Sequence, residues 1–202
     1  MKTKSILITG VLAFLAALTP ARAVTILHTF TGSASDGANP QDSLTLSGLK
    51  LYGLTGNGGT SNKGALFSMN TDGTGYGLLH SFTSGASDGS NPYGSLTLSG
   101  SKLYGMTYFA GSSDMGSLFS MNTDGTGYSL LESFGLAPAD GTFPNGSLTL
   151  SGDGSMLFGL TAAGGAANKG VVFSKTIAPE PASALLLGLG ALLLAARRRR
   201  GA

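Results

Sequence analysis

Between residues 24 and 177 apolar and polar positions alternate with a period of two, in short runs bounded by Gly, Asn, Asp and Ser. That is the pattern of half-buried strands, and no stretch there follows a helical period. In Tyr76 to Phe82, Leu78, His80 and Phe82 fall on one side, and Leu79 and Ser81 on the other. Ser95 to Ser99 puts its leucines on one face and its Thr and Ser on the other. Lys102 to Thr107 and Ser117 to Met121 complete a set of four predicted strands, here segments a, b, c and d. Two continuous apolar stretches interrupt the alternation, Ile6 to Leu18 and Ala182 to Ala196, one toward each terminus.

The four-segment set occurs three times. Phe30, Phe82 and Phe134 are equivalent, as are Asp36, Asp88 and Asp140, each followed by Gly. Ser-Leu-Thr-Leu-Ser-Gly stands at 43–48, 95–100 and 147–152, and Leu51-Tyr52-Gly53 returns at 103–105 and as Leu157-Phe158-Gly159. Asn-Thr-Asp-Gly-Thr-Gly-Tyr joins one copy to the next at 70–76 and 122–128. Self-similarity at this period marks an array of supersecondary units. The boundaries it sets are 1–23, a three-repeat body at 24–177 (repeats about 24–75, 76–127 and 128–177), and 178–202.

Turn chemistry predicts the order of strands within the body. Ser-Gly or Asp-Gly closes a hairpin between segments b and c, and the Asp-Gly of the joining motif turns segment d back onto segment a of the next copy. This gives sheets b-c-d-a, the last of which has no successor. Pairing Val24 to Phe30 with segment d of the third copy would close a ring and cover two raw edges. The expected fold is therefore all-β, with three four-stranded repeats in a propeller-like arrangement. A β-trefoil or β-prism fits the count as well, since propellers usually have about four to eight blades.

The wording of the repeat, with its NTDGTGY, SDGxNP, LYG and LFS-type segments, resembles the Gloeo/Verruco (GloVer) tandem repeat. The resemblance covers nearly the whole body. It implies a secreted protein with propeller-like repeats, and it carries no catalytic residues to transfer.

The termini read as targeting segments. Lys2 and Lys4, the apolar run, Pro20 and the small residues Ala21 and Ala23 make a secretory signal helix with a cleavage site. At the other end, Pro179-Glu180-Pro181 precedes the second apolar run, predicted to be a short transmembrane helix, and Arg197, Arg198, Arg199 and Arg200 close it. This order resembles the PEP-CTERM sorting signal of Gram-negative bacteria. The resemblance implies signal peptidase and exosortase as processing partners, a membrane-anchored intermediate, and delivery to the cell surface or beyond, in association with exopolysaccharide.

Composition narrows the chemistry. With no cysteine there is no disulfide, thiolate metal site or cysteine nucleophile. The formal charge of +2 comes from the termini, because residues 24–178 hold five lysines against nine carboxylates, a balance of −4. No basic nucleic-acid face is expected. Gly85-Ala86-Ser87-Asp88-Gly89 matches the pattern of a nucleophile elbow, but it falls in a repeat loop with no helix to follow. The Asp-Gly turns supply single carboxylates rather than a calcium loop. Tyr52, Tyr93, Tyr104 and Tyr108 offer sugar-stacking faces if exposed, although Phe158 at the position of Tyr52 and Tyr104 points to a core role for those two. His28, His80 and Glu132 occupy one repeat position and have the composition of a metal triad, but no flanking carboxylate is available to orient an imidazole. The expectation is a non-enzymatic structural or binding module with no cofactor and no metal site. A secreted enzyme and a lectin-like glycan binder are the rival readings.

Overall fold

The computed structural model describes residues 24–137 and 139–177. The first repeat contains β1 (Gly37–Ala38), β2 (Thr45–Ser47), β3 (Lys50–Thr55), β4 (Asn57–Gly58) and β5 (Ala65–Asn70). β6 (Gly77–Ser81) opens the second, followed by β7 (Gly89–Pro92), β8 (Thr97–Ser99), β9 (Lys102–Ala110) and β10 (Ser117–Asn122). The third contains β11 (Ser129–Ser133), β12 (Gly141–Pro144), β13 (Thr149–Leu150), β14 (Met156–Gly164) and β15 (Val172–Thr176).

Besides a two-stranded β1-β4 sheet, three larger antiparallel sheets result, one per repeat. The first runs β2-β3-β5-β6; the second has β8 and β7 along one edge of β9, then β10 and β11; in the third β13 and β12 flank one edge of β14, and β15 lies on the other. Both predicted joining hairpins form. β6 pairs with β5 and β11 with β10, each with a register shift at the same place, between Leu66 and Phe67 and between Leu118 and Phe119. The second and third repeats therefore each lend their first strand to the sheet of the one before.

Closure does not occur. Val24 to Phe30 forms no strand, and β15 pairs with β14 alone. The three sheets stand as an open array, so the propeller-like ring, and the trefoil and prism alternatives, are not what the chain builds. The reason lies in how the sheets stack: one apolar core joins the first sheet to the second and the other joins the second to the third. The repeats therefore follow in line and β15 is not brought back to Val24 to Phe30, which packs Phe30 on Phe67 at 5.3 Å and His28 on Tyr76 at 3.7 Å. No helix occurs among the described residues, and none there is long and apolar enough to cross a membrane. The signal helix and transmembrane helix expected from the sequence fall on segments outside the described residues.

The segment that begins at the Asp-Gly of each repeat and runs toward its proline has the composition of a turn, yet it forms a short strand. β7 pairs with the distal half of β9 and β12 with that of β14, and β1 pairs with β4. The glycine after each aspartate is required by close approach: a Cβ on Gly37, Gly89 or Gly141 would collide with Thr55, Thr107 or Thr161. These threonines are buried and hydrogen-bonded back to the chain, as Thr107 Oγ1 is to Phe109 O at 3.0 Å.

The core lies between sheets rather than within one. Tyr52, Leu54 and Leu66 of the first sheet meet Phe82, Leu96, Leu103, Phe119 and Met121. Tyr104, Met106 and Leu118 of the second meet Phe134, Leu148, Leu157 and Ile177. Polar bonds repeat across both joints: Ser43 N–H donates to Ser95 Oγ at 3.0 Å and Ser95 N–H to Ser147 Oγ at 2.9 Å. Burial of apolar surface at about 25 cal/mol per Å2 makes these joints the main source of stability.

Candidate functional site

His28 and His80 do not converge with Glu132. Each is tied to the recurring aspartate of its own repeat, eight residues on: Nε2 of His28 lies 3.0 Å from Oδ1 of Asp36, and Nε2 of His80 lies 3.0 Å from Oδ1 of Asp88. Each imidazole also stacks on the tyrosine that ends the joining motif, His28 on Tyr76 and His80 on Tyr128 at 3.9 Å. Thr31 and Thr83 donate backbone N–H and hydroxyl to the second carboxylate oxygen. Among the described residues no group of three His, Cys, Asp or Glu is placed to hold a metal ion.

Burial by itself would raise the Asp36 carboxyl. The hydroxyl of Tyr76, the Thr31 N–H, His28 and the Thr31 hydroxyl outweigh it and hold the group well below the usual carboxylate range. Asp88 is held low in the same way, by His80, Thr83 and the Gly89 N–H against burial. Burial, together with the adjacent carboxylate, pushes both Tyr76 and Tyr128 up. These clusters are cross-links that fasten a repeat to its successor.

The third repeat departs from this plan. Glu132 occupies the histidine position and accepts from Lys175 Nζ at 2.7 Å, both side chains partly exposed. A cavity of about 440 Å3 opens beside them, lined by Phe134, Asp140, Gly141 and Phe173 among others. In the first repeat the equivalents of these residues are Phe30, Asp36, Gly37 and Phe67, and all four touch Tyr76. The cavity therefore marks the place of a tyrosine from a successor repeat.

A second feature is confined to the joint between the second and third repeats. Tyr93, Tyr108, Phe109 and Phe143 form one aromatic group, with Tyr108 5.3 Å from Tyr93, stacked on Phe143 at 5.2 Å, and edge-on to Phe109 at 4.8 Å. Phe109 is exposed and the others half-buried. In the first repeat the positions of Tyr93, Tyr108 and Phe109 hold Gln41, Gly56 and Asn57. The position of Phe143 holds Asn39 and Asn91, and all three have a left-handed backbone, φ 55°, 51° and 57°. Asn adopts that conformation readily, whereas Phe carries strain of about 1–2 kcal/mol. A strained aromatic packed with others at a partly exposed surface makes this group the candidate binding site.

The remaining candidates are structural. Tyr52 and Tyr104 are buried, and Tyr52 donates to Thr123 O at 3.1 Å. Asp72 and Asp124 cap their own turns, each accepting from the N–H and hydroxyl two residues on, at 2.9 and 2.7 Å. Ser87 is exposed in the turn before Asp88. Ala21, Ala23, Pro179, Glu180, Pro181 and Arg197 to Arg200 lie outside the described residues. Of the aromatic group, the sequence reading had singled out Tyr93 and Tyr108 and missed Phe109 and Phe143. The signal was an aromatic standing where the other copies carry Asn39 and Asn91 for Phe143, and Asn57 and Ala163 for Phe109.

Comparison with curated proteins gives no match. Among solved structures, the chain is similar to a chain in the crystal structure of a nidogen/laminin complex, at 20% identity over 56% of this chain and 36% of that one, with a TM-score of 0.38. The Gloeobacter/Verrucomicrobia repeat matches residues 12–186. On the strength of that match, which takes in all three sheets and both joints, the chain belongs to the Gloeobacter/Verrucomicrobia repeat family.

Proposed function

We propose that this is an exported, non-enzymatic binding module of the bacterial surface or matrix, and that its aromatic platform takes the apolar faces of a polysaccharide. The observation that carries the reading is Phe143, held in a backbone conformation its neighbours in the repeat reserve for Asn and packed into a partly exposed group of four aromatics. Sugar rings present C–H faces that aromatic side chains cover, and Tyr93 and Tyr108 add hydroxyls at the rim. The net negative body argues for a neutral or cationic glycan over a polyanionic one. Export rests on the two terminal segments: a signal peptide cut after Ala23 and a sorting signal, recognised by an exosortase, built from Pro179-Glu180-Pro181 and the arginine cluster. In this reading the chain is held at the membrane before the sorting segment is cut.

The test combines processing and binding. Protein recovered from outside the host cells is expected to begin near Val24 and to lack Arg197 to Arg200 by intact mass. On the host's own exopolysaccharide, affinity electrophoresis should show retardation that F109A weakens roughly tenfold, about 1.4 kcal/mol. F143N is the sharper variant: it should weaken binding while raising stability by about 1 kcal/mol as the strain is released. Unchanged retardation in both variants would refute the platform.

A further inference from the structure

We infer that copies of this chain assemble head to tail, with Val24 to Phe30 of one copy adding as a strand to the outer edge of β15 of another. The two joints inside the chain define the contact. In each, the first strand of a repeat pairs with the last strand of its predecessor, with Leu66 opposite His80 and Phe67 opposite Leu78, and again with Leu118 opposite Glu132 and Phe119 opposite Leu130. Each end of the array carries one half of that same joint.

At the tail, Val172 stands where Leu66 and Leu118 stand, yet it is 78% exposed where they are fully buried. Leu160 is 55% exposed against 6% for Leu54 and 2% for Met106. Lys169 and Gly170 occupy the positions of Lys63 and Gly64, whose carbonyls accept from Asn91 N–H and Phe82 N–H across the inner joint. The cavity beside Glu132 and Phe173 is the seat that Tyr76 and Tyr128 fill in the first two repeats.

At the head, Leu44 is 51% exposed where its equivalents Leu96 and Leu148 are buried in the joints. Val24 to Phe30 already lies over its own repeat as β6 lies over the next one. Gly73 comes close to Leu27 just as Gly125 comes close to Leu79. It thus has its face packed and a ladder edge unpaired. The register of the inner joints carries over directly, placing His28 opposite Val172, Ile26 opposite Phe173, and Thr25 opposite Ser174. Val24 then points toward the tyrosine seat.

The occupant is a second copy because the exposed faces are two different halves of one joint, so each copy supplies what the other lacks. Such a contact is heterologous and propagates or closes by rotation, as patch-to-different-patch contacts do. It needs no new chemistry, only the joint the chain already makes twice.

The absence of cysteine in the chain allows a covalent test on the full-length protein. Thr25 and Ser174 are exposed, so T25C and S174C leave the fold intact, which circular dichroism verifies. Opposed residues in an antiparallel pair bring their Cβ atoms to about 4.5–5.5 Å, within reach of a disulfide after slight adjustment. Mixed and mildly oxidised, the two variants are expected to give a T25C–S174C heterodimer well in excess of either homodimer. Adding V172K to the S174C chain should abolish it. A chain carrying both cysteines should yield covalent multimers. Homodimers alone, no cross-link, or a cross-link that survives V172K would overturn the inference. So would a fast-migrating monomer with an internal disulfide, which would mean that the chain meets its own tail. Protection of S174C from modification without any cross-link would do the same, and would assign the edge to residues 178–202.

Discussion

The inner joints and the outer ends of this molecule are written in nearly the same residues and behave in opposite ways. Leu66, Leu118 and Val172 are equivalent in sequence, and so are Leu54, Met106 and Leu160, but in each set the two residues that face a following repeat are buried and the third is open to solvent. A repeat in this array cannot cover its own apolar face. Burial is a property of the pair, and the amphipathic pattern of one unit specifies a neighbour as much as an interior. The polar cross-links follow the same division. His–Asp–Tyr clusters fasten the first and second repeats to their successors, whereas the third has an ion pair, Lys175 to Glu132, beside an unfilled tyrosine seat.

The largest difference should appear on deleting the phenylalanine that lies across the glycine of each Leu-Tyr-Gly or Leu-Phe-Gly segment. A Cβ at Gly105 or Gly159 would collide with the rings of Phe119 and Phe173 respectively, so both rings sit in the same notch. Phe119 is fully buried between sheets, while Phe173 has only the near half of a joint around it. Truncation of Phe119 to Ala is expected to cost about 3–5 kcal/mol in urea unfolding, and that of Phe173 about 1–2 kcal/mol at protein concentrations too low for copies to assemble. Equal losses would show that the tail face is covered in solution.

Next in size is the aspartate. Asp88 is buried and receives His80, two donors from Thr83 and the Gly89 N–H, whereas Asp140 receives the Ala137 N–H and is half-buried. Removing the Asp88 carboxylate orphans several buried donors, so D88A should cost about 2–4 kcal/mol and D140A under about 1 kcal/mol. The pH dependence carries a sign. The folded pKa of Asp36 and Asp88 lies below the unfolded value, so their stabilisation is complete above the ordinary carboxylate range, near 3.9. It is lost progressively as pH falls below that range. Unfolding at pH 6 and pH 3 should show a steep acid loss in the parent that D88N makes shallower. A parallel pH profile in D88N would remove Asp88 from the acid-sensitive set.

Much of this was legible in the chain. The joining hairpins follow from Asn-Thr-Asp-Gly, and the sheet order b-c-d-a follows from them. What was not legible was the destination of Val24 to Phe30. Its alternation is that of a strand and a ring would have given it a ladder, but the two cores stack the three sheets in line and leave it without a strand partner, an arrangement that no local pattern announces. The His–Asp link was hidden for a related reason. Comparing His28, His80 and Glu132 across repeats invited a ring, while the relation that matters runs within each repeat, from His to the Asp eight residues on. The short strands at Gly89–Pro92 and Gly141–Pro144 were masked by their opening Gly and closing Pro, with Ser-Asn between them in the first, residues that mark turns except where the glycine packs beside a buried threonine.

The finest contrast is between the two tyrosines that the inner joints share. Tyr76 donates its hydroxyl to Asp36 Oδ1 at 2.6 Å and accepts from the Gly37 N–H at 3.2 Å. Tyr128 makes the same stack on His80, and its buried hydroxyl faces the Asp88 carboxylate and the Gly89 N–H without reaching hydrogen-bond geometry to either. A hydrogen bond to a charged acceptor is worth roughly 1.5–3 kcal/mol when buried, and partial exposure around His28 lowers that, so Y76F should lose about 1–2 kcal/mol. An unpartnered buried hydroxyl contributes a desolvation cost without return, so Y128F should be neutral or gain up to about 1 kcal/mol. Both variants keep the ring and its stack, which isolates the hydroxyl from the packing. If Y128F loses as much as Y76F, the Tyr128 hydroxyl does bond Asp88 in solution, and the two inner joints are chemically the same.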